Sequence, residues 1–137
     1  MVNIANDTHV LANELSLCLR EFHRALIQAE AGQDPDLQNP YTFLFAVIGD
    51  PRFAWTTNLT QLIVKLDESI AEGEIATPED LEPYRIEASR LIGGEKTSDP
   101  KFRLRHLMAI QQVPDVALAT GALRKVLSKV PMAKLAA

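Results

Sequence analysis

Asn39-Pro40-Tyr41-Thr42-Phe43-Leu44-Phe45-Ala46-Val47-Ile48-Gly49-Asp50 is the stretch on which the fold class turns. Seven of the eight residues from Tyr41 to Ile48 are apolar. Their aromatic and β-branched content would suit a buried strand. The flanks point the other way. Asn39 can cap a helix, Pro40 suits a first helical position, and Gly49 supplies a stop at C′. The stretch therefore reads as a short, mostly buried helix. No second credible strand is present to pair with it, so the class is all-α.

Outward from this stretch the same punctuation recurs. Upstream, Leu11, Leu15, Cys18, Leu19, Phe22, Leu26 and Ala29 follow steps of three and four, with charged and amide residues on the other face. They predict a long amphipathic helix from about 8 to 31, with Asn6 or Asp7 as N-cap and a stop at Gly32. Downstream, Asp50-Pro51 opens a stripe through Phe53, Trp55, Leu59, Leu62, Ile63, Leu66 and Ile70 that stops at Gly73. Thr77-Pro78-Glu79-Asp80 resembles a capping box, and Leu81, Tyr84, Ala88, Leu91 and Ile92 follow before Gly93-Gly94. Pro83 predicts a kink or a restart within that helix. Asp99-Pro100 and Pro114 open two more helices, and Pro131 stops the last. Pro40, Pro51, Pro78, Pro100 and Pro114 all fall at predicted first turns. The expectation is a compact bundle of five or six helices, a single all-α domain over 1–137 with fraying ends at 1–6 and 131–137.

Composition agrees. The chain has 137 residues, 47% hydrophobic and 23% charged, with one cysteine. That suits one domain able to bury its own core, and it excludes collagen, disulfide scaffolds and wholesale disorder. No run is long and apolar enough for a membrane span, and the start has no basic segment followed by an apolar core, so a cytoplasmic location is expected. Charge is uneven. Residues 1–100 hold seven Lys/Arg against seventeen Asp/Glu, whereas residues 101–137 hold seven Lys/Arg against Asp115 alone.

Chemical motifs are sparse. Asp50-Pro51-Arg52-Phe53-Ala54-Trp55 admits two readings: an aromatic cup rimmed by Arg52, or a pair of large apolar anchors at a helix junction. With Leu62-Ile63 and Asp67-Glu68 downstream, it resembles a family of small uncharacterised bacterial all-α proteins that carry an Asp-Pro-x-Phe-Ala-Trp segment leading into a helix. The resemblance is strongest over residues 41–70. It implies a bacterial, helical, soluble protein and, since that family has no established activity, transfers no catalytic residue.

Seven acidic residues between Asp67 and Glu82 have no Lys or Arg among them, which reads as a solvated or docking face rather than a metal site. His9, His23 and His106 lack the spacing of ligands on one helix face. Cys18 lies on the apolar stripe, where a thiol is inert packing. Gly93-Gly94-Glu95-Lys96-Thr97 fails as a phosphate loop because Glu95 stands where glycine is needed and the segment follows a helix. No catalytic, cofactor-binding or metal-ligating residue is assigned. The expected function is a non-catalytic interaction or regulatory module, with another protein or a second copy of the chain as partner. The candidate docking residues are Arg52, Phe53, Trp55, Asp67, Glu68, Arg103, Arg105, Arg124 and Lys125. One alternative is a nucleic-acid-binding regulator using the basic C-terminal helices. The other is a small enzyme or ligand-binding protein with a pocket near Trp55.

Overall fold

A computed structural model describes residues 4–94, 96 and 99–132, and it is helical throughout, with no strand among the described residues. Six α-helices follow in order: α1 (Ile4–Ala31), α2 (Pro40–Gly49), α3 (Thr57–Ala71), α4 (Glu82–Ile92), α5 (Pro100–Gln112) and α6 (Pro114–Leu127). Three short 3₁₀ segments, Pro35–Leu37, Pro51–Thr56 and Pro78–Leu81, join some of them. No described helix is long and apolar enough to cross a membrane.

α1 is the axis of the bundle. Its stripe Leu15, Leu19, Phe22 and Leu26 is fully buried, and α6, α3, α5 and the segments Pro51–Thr56 and Pro78–Leu81 pack around it. The core closes with Trp55, Leu59 and Leu66 from the next stripe, Leu81, Phe102, and Val116, Leu123 and Val126 from α6. α1 starts earlier than expected. Ile4 to Asn6 are already helical, so neither Asn6 nor Asp7 is the N-cap, and half of the end expected to fray at 1–6 lies outside the described residues. The other expected fraying end lies mostly outside the described residues, since only Pro131 and Met132 of it are described.

Proline and cap signals place the other starts. Asn39 accepts from the amides of Tyr41 and Thr42, Asp50 from that of Arg52, and Asp99 from that of Phe102. Pro51 opens a 3₁₀ segment rather than α3 itself, and α3 follows from Thr57. Pro83 marks a restart: the segment Pro78–Leu81 ends and α4 begins at Glu82, with Pro83 in its first turn where a missing N–H is harmless. Gly49 is the last residue of α2 rather than its C′ stop, and Asp50 is both the C-cap of α2 and the N-cap of the next segment.

The largest departure from expectation concerns α2. It is helical as read, but it is not buried. None of its ten residues is buried. Phe43, Ala46 and Val47 are half-buried on one side, with Phe43 meeting the Phe53 ring edge-on at 6.1 Å between centroids. The opposite side, Tyr41, Leu44, Phe45 and Ile48, is exposed by 75%, 53%, 70% and 74%. α2 rests mainly on Pro35–Leu37 and Pro51–Thr56. One small support covers one side of a helix that is apolar all round.

Candidate functional site

The residues singled out from sequence are scattered over the molecule. Phe53 and Trp55 are inside. Phe53 is 1% exposed and Trp55 9%, with the indole tilted against Phe102 at 5.3 Å. They anchor the junction between α2 and α3. The indole Nε1 is buried and meets no hydrogen-bond acceptor among the described residues. Arg52 turns back to the end of α1. It donates to the Glu30 and Ala31 carbonyls at 2.5 and 3.2 Å and pairs with Asp34 at 2.9 Å. α1 has no basic residue in its last turn; Arg52 supplies that cation from elsewhere, where it meets the negative end of the helix dipole. The bond from Arg52 holds the Asp34 carboxyl below its ordinary range, helped by the Asp36 amide.

The acidic tract divides. Asp67 faces α1, accepting from Ser16 Oγ at 2.6 Å and from Arg20. Asp80 closes the capping box, accepting from the amides of Ala76 and Thr77, and those bonds lower its pKa. Glu68, Glu72 and Glu74 edge an open depression between α3 and α4 that also includes Lys65, Ser69 and Tyr84. No group of His, Cys, Asp and Glu side chains able to hold a metal ion occurs among the described residues.

The basic residues are mostly engaged on this chain. Arg105 pairs with Glu30 at 3.5 Å and Lys129 with Glu14 at 2.8 Å, both reaching across to α1. Arg124 donates to the Ile92 carbonyl at 2.9 Å and so caps the end of α4. Arg103 lies against Gly93 and donates to His106 Nδ1 at 3.1 Å. Lys125 is exposed. The basic C-terminal segment therefore answers the acidic body through Glu14 and Glu30 of α1, and no ion pair joins it to residues 67–82 among the described residues.

His106 is fully buried. Thr120 Oγ1 donates to the Val116 carbonyl at 2.7 Å, which leaves it to accept from His106 Nε2 at 2.9 Å. The imidazole is thus a neutral Nε2–H tautomer. Burial, with the charges of Arg103 and Arg124 adding to it, pushes its pKa down to about 4. The ring stands edge-on to Phe22 at 5.1 Å, and every polar atom of it is satisfied inside the core. Cys18 is half-buried beside Glu14, and burial raises its thiol pKa, which suits packing rather than nucleophilic chemistry.

The surface that sequence reading missed is the outer face of α2. No charged residue occurs from Leu37 to Gly49, and Tyr41, Leu44, Phe45 and Ile48 follow i, i+3, i+4, i+7 spacing. They present roughly 550 Å² of uncovered, largely apolar side-chain area, near the top of what a whole monomer usually shows in its largest patch. A signal was present in the stretch, because its apolar residues occupy both sides of the helix. Comparison with protein-family models, with curated proteins and with solved structures found no match.

Proposed function

We propose that the chain is a non-catalytic protein–protein interaction module, and that the outer face of α2 receives an uncharged, apolar protein surface. The observation that carries this reading is the exposure of Tyr41, Leu44, Phe45 and Ile48 on a helix without charge. Aromatic and aliphatic side chains presented together at helical spacing are the usual anchors of helix-mediated docking. Arg52, Arg103, Arg105 and Arg124, by contrast, already bond to this chain's own carboxylates, carbonyls or imidazole. The sequence resemblance supports a bacterial source, and a lone cysteine suits a reducing cytoplasm.

A photo-reactive phenylalanine analogue placed at Phe45, and as a control at exposed Arg90 on α4, tests the reading in living cells. Protein adducts from position 45 with few from position 90 are expected. Equal labelling from both positions, or none from either, would overturn it.

A further inference from the structure

Resting on the reading of α2 as a docking helix, we infer that its occupant is a second copy of this chain, joined through an antiparallel α2–α2 contact about a two-fold axis. The spacing of the exposed residues carries the inference. Positions 41, 44, 45 and 48 are symmetric about the midpoint between Leu44 and Phe45. A two-fold axis through that midpoint, perpendicular to the helix, sets Tyr41 against Ile48 of the partner subunit and Leu44 against Phe45 of the partner subunit. Each aromatic ring then meets an aliphatic side chain, and the same face serves both copies, as an isologous interface requires.

Area and charge agree. Two such faces together expose about 1,100 Å², so a contact that covers them and their immediate rim reaches the roughly 1,000 Å² expected of a specific interface. With no charge from Leu37 to Gly49, no charges are buried within the contact itself, and the flanking Asp36 and Asp50 fall at its solvated ends. A lipid surface fits less well. Helices that lie on anionic membranes carry Lys and Arg on their polar face, whereas α2 carries none; Asp34, Asp36 and Asp50 flank it, and the adjacent cation, Arg52, is bonded to Asp34 and the end of α1. The exposed residues Leu104, Leu107 and Met108 of α5 form a weaker competitor, because Lys101, Arg103 and Arg105 are interleaved with that stripe.

Sedimentation equilibrium of the full chain is expected to show a dimer that dissociates on dilution through concentrations on the order of micromolar. The double variant Phe45→Glu/Ile48→Glu is expected to raise the dissociation constant at least ~100-fold. Its far-ultraviolet dichroism, and its melting temperature at concentrations well below micromolar where both chains are monomeric, should stay those of wild type, since α2 contributes no buried residue. Geometry is read separately by oxidation in a Cys18→Ser background. Residues 41 of the two copies lie roughly 13 Å apart across this axis, too far for a disulfide, whereas 41 and 48 are opposed. A mixture of Tyr41→Cys and Ile48→Cys chains should form a mixed disulfide that neither variant forms alone.

A wild-type chain that stays monomeric at about 200 µM, well above a micromolar dissociation constant, would overturn the inference. So would a dimer that the double variant leaves intact, or a disulfide formed by Tyr41→Cys chains alone. A monomer that still gives adducts with a different protein from position 45 removes the second copy but leaves the docking reading standing. A monomer that floats with phosphatidylglycerol vesicles through α2 removes both.

Discussion

His106 is fixed by two bonds of opposite sense: it gives a proton to Thr120 and accepts one from Arg103. Adding a second ring proton breaks the bond from Arg103 and places a cation beside two arginines. Burial disfavours the charged ring most, and these two effects add to it, so the folded pKa lies near 4 while the unfolded chain titrates near 6.5. Between those values the unfolded chain holds the extra proton, so the contribution is complete above about pH 6.5 and is lost as pH falls toward 4. Urea midpoints are expected to be flat from pH 8 to 7 and then to drop by the equivalent of about 3 kcal/mol by pH 4. His106→Gln should remove most of that slope. Half-buried His23, also pushed down by burial, supplies the remainder. Asp34 and Asp80 act at lower pH, because their depressed carboxyls contribute above their ordinary range and lose that contribution only below it. None of this was legible from the sequence. His106 sits between Arg105 and Leu107, and only the crossing of α5 with α6 brings Thr120 beneath it.

At the scale of elements, the helix ends carry much of the design. α4 ends at Gly93, whose φ of +88° is left-handed. A Cβ there would stand 2.6 Å from the Arg103 guanidinium. Gly73, at φ +73°, has the same conformation with nothing within 4 Å of an added Cβ. Gly73→Ala should therefore cost about 1 kcal/mol, the conformational penalty alone. Gly93→Ala should cost about 1 kcal/mol more, because Arg103 must leave His106. Paired urea denaturations read the difference, and it should vanish in an Arg103→Ala background. These stops, the caps Asn39, Asp50 and Asp99, and the prolines at first turns were readable from sequence because they act through neighbouring backbone groups. The fate of α2 was not. A helix that is apolar all round is ordinarily buried, and residue order alone does not reveal that only Pro35–Leu37 and Pro51–Thr56 lie beside it. For the same reason Arg52 reads as a ligand partner in sequence, whereas in the fold it closes the end of α1.

Over the whole molecule, the acidic body and basic C-terminal segment are joined by pairs that bring α5 and the turn after α6 onto α1. Arg105–Glu30 and Lys129–Glu14 lie at the surface, with 46% and 47% of the basic side chains exposed. Such pairs each contribute little and are screened by salt. Raising sodium chloride from about 0.05 to 0.5 M should therefore lower stability by less than about 1 kcal/mol, and Lys129→Glu should have an effect of similar size. Guanidine-free thermal melts at the two ionic strengths check both. The hydrophobic contact beneath those pairs matters more. The broadest interface in the bundle is between α1 and α6, elements separated by most of the chain. During synthesis α1 emerges before the elements that cover it, and its apolar stripe has only the partial cover of α3, α5 and the segments Pro51–Thr56 and Pro78–Leu81 until residues 116–130 have been made. Ribosome-bound chains must therefore shelter Leu15, Leu19, Phe22 and Leu26 by provisional collapse or by a chaperone. Final folding awaits the closure of a loop of roughly a hundred residues, which makes this protein slow among helical ones of its size.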